Sequence, residues 1–258
     1  MANTASGTTN WTLQRDDIIT RALRICGVVG EGEVASASQI TEGASALNAL
    51  VKEYQTDGMP LWKIVQYTGF AYTATTSYPI GIGATVNQVA PLKVLQAFNR
   101  DSSVTPNTDQ PMLIVTLQDY LYLGSKQSTG RPTQFYYQTP GEGGTIPASD
   151  MQGTITVYPK PDATSIANLT CIIIGQKPFE NFDASTDIPD FPSYWFNAVI
   201  WGLAADLSFE KGVPLAERGM IIKAAMTKKM AALSFGVEEG SLFMRPTVQY
   251  NSPGGSQY

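Results

Sequence analysis

Apolar positions recur at helical spacing near the start of the chain. Asp16 and Asp17 open a short amphipathic pattern that ends at Gly27, and the pair Ser36 and Gln39 forms a capping box before a longer pattern. The longer pattern advances in steps of three and four residues through Ile40, Ala44, Leu47, Val51 and Tyr54. These spacings predict two helices in the first quarter of the chain.

Helical spacing returns towards the other end. Asp190 suits a helix cap and Pro192 suits a first turn, and the segment from Trp195 is apolar on nearly all sides, which predicts a helix surrounded by partners. A tight turn at residues 211–214 leads into a last helix, which Gly236 closes. The predicted core-facing stripe of this last helix consists of Leu215, Gly219, Ile222, Met226, Met230 and Leu233.

Between the two helical regions the pattern changes to short β-branched and aromatic runs separated by turn residues. The runs lie at 64–72, 92–98, 134–138, 154–158 and 169–175. They predict a mostly antiparallel sheet. One short helix is predicted at 117–123, and the glycine-rich stretch 140–153 is predicted to be a mobile loop.

Neither pair of predicted helices has a core of its own, so each pair must bury its stripe against the other. The sequence therefore predicts an α+β fold in which the helix pairs at 15–61 and 190–236 form a four-helix bundle. The mostly antiparallel β domain at 62–189 is an insertion between them. Residues 1–14 are expected to form a flexible arm, and residues 237–258 are expected to form an extended tail.

Composition adds information about the surface. Charged residues are 15% of the 258-residue chain, below the roughly 25% of an average soluble domain, which indicates a surface that is partly covered. The formal charge is −5, and no run of Lys and Arg supplies a basic stripe, so tight salt-driven binding of nucleic acid is not expected. The longest mostly apolar stretch, at 195–207, is too short to span a membrane.

Candidate chemistry is sparse. The chain has no histidine, which removes the commonest general base and metal ligand. Its two cysteines, Cys26 and Cys171, are too few and too isolated for a zinc site and are interpreted as buried thiols, with one long-range disulfide left open. No phosphate-binding loop is present. The sequence therefore predicts no catalytic, cofactor-binding or metal-binding residues, and no enzyme.

Two residue groups leave alternatives open. The carboxylates Glu180, Asp183, Asp187 and Asp190 are best interpreted as a solvated linker that ends in a helix cap, with calcium ligands or the acid pair of a glycoside hydrolase as the alternatives. The aromatic residues Tyr120, Tyr122, Phe135, Tyr136 and Tyr137 favour core or subunit contacts over stacking on bases or sugars.

A series of short motifs follows a fixed order along residues 15–235. The motifs are Ile19-x-x-Ala22-Leu23-x-x-Cys26-Gly27-Val28, Ala46-Leu47-Asn48-x-Leu50, Asp57-Gly58-x-x-Leu61-Trp62, Gly130-Arg131-Pro132, Tyr136-Tyr137, Val157-Tyr158-Pro159-Lys160-Pro161-Asp162, Ile188-Pro189-Asp190-Phe191-Pro192-x-x-Trp195 and Leu203-Ala204-Ala205-Asp206-Leu207. In this order and layout the chain resembles the head-to-tail adaptor proteins of short-tailed bacteriophages. This group includes tail tubular protein A and the gatekeeper-ring connectors.

The resemblance implies a structural virion protein without catalytic residues. Members of this family form a ring, typically a dodecamer, below the portal protein at the capsid vertex. A nozzle or tail tube protein lies beneath the ring. DNA passes through the channel during ejection without sequence-specific binding. The implied location is the virion, after assembly in the host bacterial cytoplasm, and no membrane is implied.

Two contact regions are expected on this basis. The predicted contacts with the portal or a neighbouring subunit are tail residues, namely Leu242, Phe243, Met244, Arg245, Val248 and Tyr250. The predicted contacts with the next tail component are loop residues, namely Glu142, Gly143, Gly144 and Thr145. The alternative is a virion accessory or carbohydrate-binding module that uses the β domain.

Overall fold

A computed structural model describes residues 11–56, 63–140 and 152–235. These described residues contain six α-helices, namely α1 (Arg15–Ile25), α2 (Ala37–Thr56), α3 (Leu117–Tyr122), α4 (Ala163–Asn168), α5 (Phe196–Glu210) and α6 (Leu215–Phe235). They also contain eleven strands, namely β1 (Ile64–Gln66), β2 (Phe70–Ala71), β3 (Ser77–Gly81), β4 (Val86–Asn87), β5 (Lys93–Asp101), β6 (Thr108–Ile114), β7 (Thr129–Gly130), β8 (Gln134–Gln138), β9 (Gly153–Tyr158), β10 (Lys160–Pro161) and β11 (Leu169–Gln176). One turn of 3-10 helix, Ser193–Trp195, precedes α5.

The first two helices carry the predicted start and stop signals. Gly27 follows α1 with a φ of 69°, a left-handed conformation that glycine adopts without steric cost. At the start of α2 the backbone N–H of Ser36 donates to Gln39 Oε1 over 2.8 Å, and the N–H of Gln39 donates to Ser36 Oγ over 3.3 Å. This reciprocal pair confirms the predicted capping box.

The helix α5 lies at the centre of the helical part, as its sequence predicts. It packs against α1, α2 and α6. Its buried residues occupy nearly every side of the helix and are Phe196, Ala198, Val199, Ile200, Gly202, Leu203, Ala204, Leu207 and Ser208. Among the described residues no helix combines the length and apolarity needed to cross a membrane.

One large curled sheet accounts for most of the strands. Its strand order is β1-β11-β5-β6-β8-β9-β3-β4, with β2 also paired to β11, while β7 and β10 form a separate two-stranded pair. Within this sheet the β6–β8 and β3–β4 pairs are parallel, and all the other strand pairs are antiparallel. The helices have one hydrophobic core, and the sheet has another. The core of the sheet includes Tyr78, Ile80, Phe135, Ile155, Val157 and Ile173.

The predicted fold class is wrong. The described chain is a mixed α/β fold with six helices and a large mixed sheet, not a four-helix bundle with an inserted, mostly antiparallel β domain. Three helices, α1, α2 and α5, pack on one another, but α6 packs mainly on α5. The prediction failed because α6 is apolar on two sides, and it buries Ile221, Ala225 and Ala232 instead of the predicted stripe.

A connector at residues 177–192 joins the sheet to α5. Its aromatic side chains Phe179, Phe182 and Phe191 belong to the hydrophobic core of the helices. Residues of α2 bind its backbone, because Asn48 Oδ1 accepts from the N–H of Phe182 over 2.8 Å and Gln55 Oε1 accepts from the N–H of Phe179 over 2.9 Å. The connector is therefore fixed to α2. The predicted domain boundaries themselves stay predictions.

Both cysteines are free thiols in buried positions, which confirms the interpretation from sequence and leaves no disulfide between them. Cys26 donates from Sγ to the carbonyl oxygen of Ala204 over 3.2 Å, so it belongs to the helical core. Cys171 belongs to the core of the sheet, where burial raises its pKa to about 12. Each thiol therefore reports on a different core.

Candidate interaction surfaces

The outer side of α6 carries large apolar side chains that no other part of the described chain covers. Leu215 is 81% exposed, Met220 66%, Met226 63% and Met230 67%. At 100° per residue these four positions share one side of the helix, away from the buried line of Ile221, Ala225 and Ala232. These four residues are called the α6 stripe below. Exposed apolar side chains along one side of a helix are a feature of protein interaction sites.

The helix that carries the α6 stripe is basic, although the whole chain is acidic. Four cations and the single carboxylate Glu217 give α6 a charge of +3, whereas the whole chain carries −5. Three of these cations lie over aromatic rings of the same chain, because Arg218 lies 4.6 Å from the ring of Phe209 and Lys228 and Lys229 lie over the rings of Trp201 and Tyr54. The fourth cation, Lys223, is exposed on the side of the α6 stripe.

A second surface, on α2 and α5, is acidic. Asp206 and Glu210 lie one turn apart on α5, and Glu53 of α2 lies within electrostatic reach of Asp206. Desolvation, then the charges of Glu53 and Glu210, raise the pKa of the Asp206 carboxyl, and Lys229 opposes this shift only in part. Glu53, Asp206 and Glu210 are called the acidic edge below. Burial is the largest cause of the raised pKa, and the two neighbouring carboxylates add to it.

An exposed apolar patch also surrounds α3, at one side of the sheet. It consists of Leu113, Ile114, Leu117, Leu121 and Tyr122. The helix is held by a capping box between Thr116 and Asp119 and by stacking of Tyr120 on Tyr136, whose ring centroids lie 6.1 Å apart. The presence of α3 at Leu117–Tyr122 confirms the helix predicted at 117–123. Tyr122 is 86% exposed, whereas Phe135 is a fully buried core residue.

The chain matches no protein-family model. A comparison with curated proteins finds no match either. The described surfaces themselves therefore have to carry any functional argument.

Three of the four carboxylates of the connector, those of Glu180, Asp187 and Asp190, have structural partners among the described residues. Asp187 accepts from the backbone N–H groups of Asp183 and Ala184 over 2.8 and 2.7 Å, and Glu180 pairs with Lys177 over 2.9 Å. Asp190 was predicted to cap the following helix, and this is wrong, because its carboxylate instead pairs with Lys63 before β1. No group of three or more possible metal ligands occurs in the described residues.

A cleft of about 580 Å³ lies beside the connector and is lined by residues that include Lys52, Lys177, Phe179 and Glu180. Lys63 is buried nearby, and desolvation together with the neighbouring charges of Lys177 and Lys52 lowers its pKa to about 8, against the opposing charge of Glu180. Lys52 Nζ donates to the carbonyl oxygen of Phe179 over 2.6 Å. These lysines hold the connector in place, which is a structural role.

The contact residues predicted from sequence fall outside the described residues. This applies to the loop residues Glu142, Gly143, Gly144 and Thr145 and to the tail residues Leu242, Phe243, Met244, Arg245, Val248 and Tyr250. Their roles stay predictions. Sequence reasoning missed the α6 stripe as an exposed surface and missed the acidic edge. The local charge of α6, opposite in sign to that of the whole chain, was the signal that could have revealed the first.

Proposed function

We propose that this protein is a structural head-to-tail adaptor of a tailed bacteriophage virion. In this role copies of the chain form a ring below the portal, join the capsid vertex to the tail and leave a channel for DNA. The order of short motifs along residues 15–235 supports this proposal, since it resembles that of the adaptors of short-tailed phages.

The observation that carries the proposal is the α6 stripe. In a single chain, Leu215, Met220, Met226 and Met230 of this 21-residue helix are exposed to water. Polar residues would suit these positions better if this side of the helix stayed in water. Covering such a stripe with another protein surface is favourable by about 25 cal/mol for each Å² of apolar area buried. A protein that acts by assembly accounts for this surface.

The low content of charged residues supports the same proposal. A chain with 15% charged residues has fewer solvated side chains than an average domain, and parts of its surface are suited to burial against partners. The net charge of −5 also suits a channel wall, because DNA slides past a surface that repels it or binds it weakly.

The proposal is tested by mixing the purified chain with the portal protein encoded by the same phage genome and imaging the product by negative-stain electron microscopy. We expect a ring on the portal vertex. The variant with both Met226→Glu and Met230→Glu is expected to lose this ring. Its free energy of unfolding should change by only about 0.5 kcal/mol or less, because both side chains are exposed and Glu is as good a helix former as Met.

A control is Val34→Glu, which adds one of the same charges at an exposed apolar residue outside the helices. It should leave ring formation intact. If the native chain does not bind the portal protein when the two are mixed, the proposed function is contradicted.

One observation favours the alternative of a carbohydrate-binding accessory module. The ring of Tyr122 is exposed beside Leu121 on the sheet part of the chain, and aromatic faces of this kind stack on sugars. A glycan array would distinguish the two functions. Binding that is lost in Tyr122→Ala would establish the alternative, whereas an array without binding leaves the adaptor as the supported function.

A further inference from the structure

We propose that residues 237–245 fold back on their own chain and bind in a groove between α5 and α6. The inference concerns the free chain and rests on the proposed function only for its consequence. That consequence is that the tail predicted to contact the portal is held on its own chain until assembly.

Contacts between α5 and α6 outline the groove. The rings of Tyr194, before α5, and Phe235, at the end of α6, lie 4.7 Å apart, and Lys228 lies 5.4 Å from the ring of Trp201. Neighbours at helical spacing continue this line, which is called the α5–α6 seam below. The seam consists of Tyr194, Asn197, Trp201 and Ala205 on the α5 side and of Ala224, Lys228, Ala231 and Phe235 on the α6 side.

The seam is accessible and mostly apolar. A groove of about 350 Å³ lies at the end marked by Tyr194 and Phe235, and Phe235 is 73% exposed. Further along the seam Trp201 and Ala205 are half-buried. One residue of the seam, Lys228, is charged. Such a surface suits an extended segment that combines apolar side chains with a carboxylate.

The chain continues from the end of this seam. α6 ends at Phe235, and the next residue is Gly236, a residue type that readily adopts the left-handed conformation in which a chain leaves a helix end. The segment that follows contains two carboxylates, three large apolar side chains and one cation, namely Glu238, Glu239, Leu242, Phe243, Met244 and Arg245.

The spacing of charges on the segment matches that on α6. Glu217 and Lys228 lie on the same side of α6, eleven residues and therefore about 17 Å apart. Glu239 and Arg245 are six residues apart, which is about 20 Å in an extended chain. A segment that reverses directly after α6 needs about three extended residues to travel back the roughly 10 Å to Lys228. Glu239 then meets Lys228. Arg245 then meets Glu217.

The apolar residues of the segment fall between these two charge pairs. In this register Leu242, Phe243 and Met244 lie against the part of the seam that contains Trp201 and Ala205. Their burial contributes about 25 cal/mol for each Å² of apolar area removed from water. Apolar contact therefore supplies the affinity, and the charge pairs fix the direction of the segment.

The short connection favours the same chain over a second copy. Leu242 follows Phe235 by seven residues, so it remains within about 25 Å of the end of α6. A connection of this length gives an effective concentration on the order of millimolar. In a dilute solution of the protein, a second copy does not compete with the attached segment.

The experiment is amide hydrogen exchange of the full chain, followed by mass spectrometry of peptides that cover residues 237–245. We expect these peptides to exchange about tenfold or more slowly than the same peptides free in solution. Ala231→Trp fills the groove at an exposed position and should remove this protection. The matched control is Ala37→Trp, the same substitution at an exposed alanine of α2, which should leave the protection unchanged.

Charge reversal tests the register. Lys228→Glu places like charges against each other and should accelerate exchange of the segment about tenfold. Lys223→Glu, the same change on another side of α6, should not. Adding Glu238→Lys and Glu239→Lys to Lys228→Glu should restore the protection. Circular dichroism verifies that each variant is folded.

Three results would overturn the inference. The first is exchange of the native segment at the rate of the free peptides. The second is protection that persists in Ala231→Trp, which places the segment elsewhere. The third is protection that falls on dilution of the protein, which assigns the contact to a second copy.

These outcomes are separate from those for the proposed function, because the portal is absent from the exchange experiment. An unprotected segment in a chain that forms the ring overturns only this inference. A protected segment in a chain that forms no ring with the portal overturns only the adaptor.

Discussion

At the scale of single residues, Asp206 carries a charge that destabilises the isolated chain. Desolvation and the charges of Glu53 and Glu210 raise its pKa in the folded chain above the ordinary value of 3.8. Between these two pKa values the folded chain holds more protons than the unfolded chain, so the free energy of unfolding falls as pH rises through that window. The carboxylate is therefore unfavourable at neutral pH.

Asp206→Asn removes this charge, and we expect it to raise the free energy of unfolding at pH 7. The gain should be less than about 1 kcal/mol, because the side chain is partly accessible and solvent screens the charge. It should vanish near pH 3, where the native aspartate is neutral as well. Urea unfolding at the two pH values measures the difference. A variant with equal gains at both values would attribute the effect to packing instead of charge.

At the scale of elements, the contact between α1 and α2 depends on a residue without a side chain. Gly43 of α2 lies against Ile19 of α1, and a Cβ atom at this position would overlap Ile19 Cγ2. Both residues are buried, so the overlap is relieved by an unfavourable rotamer of Ile19 or by moving one helix relative to the other. On α6, by contrast, nothing lies within 4 Å of the position that a Cβ atom of Gly219 would occupy.

Gly43→Ala and Gly219→Ala should therefore have opposite effects. Gly43→Ala should lower the free energy of unfolding by about 1–3 kcal/mol, the usual cost of overpacking. Gly219→Ala should raise it by about 0.5–1 kcal/mol, because alanine is the better helix former and meets no obstacle. Thermal and denaturant unfolding of both variants provide the measurement. Equal signs for the two would contradict the close approach of α1 and α2.

Local signals in the sequence predicted several elements, and their limits are clear at the same scale. The capping pair Ser36 and Gln39, the helix at 117–123 and the strand at 134–138 all depend on neighbours a few residues away, and all three are confirmed. The side of α6 that is buried was not predictable, because apolar residues occur on both sides and only the position of α5 decides between them.

At the scale of the whole molecule, the described chain has two hydrophobic cores, one in the helices and one on the sheet. Their arrangement depends on contacts that no local pattern specifies. The parallel pairing of β6 with β8 crosses α3, and the pairing of Lys63 with Asp190 spans more than a hundred residues. Sequence periodicity therefore predicted where helices and strands occur but gave the wrong fold class.

The two free thiols allow the cores to be probed separately. We expect Phe135→Ala, which creates a cavity in the core of the sheet, to accelerate thiol labelling of Cys171 and to leave Cys26 nearly unchanged. Leu203→Ala in α5 should produce the converse result. Mass spectrometry of peptides after timed alkylation resolves the two sites. Equal acceleration at both cysteines in either variant would indicate that the chain opens as one unit.

The outer position of α6 has a consequence for biosynthesis. The helix adds only Ile221, Ala225 and Ala232 as buried residues, and it follows in the chain the residues that form most of both cores. During synthesis chains fold from the N-terminal end onwards. A nascent chain therefore exposes the methionines of α6 only after the rest of the described fold has left the ribosome, so this apolar side of α6 is absent while the two cores form.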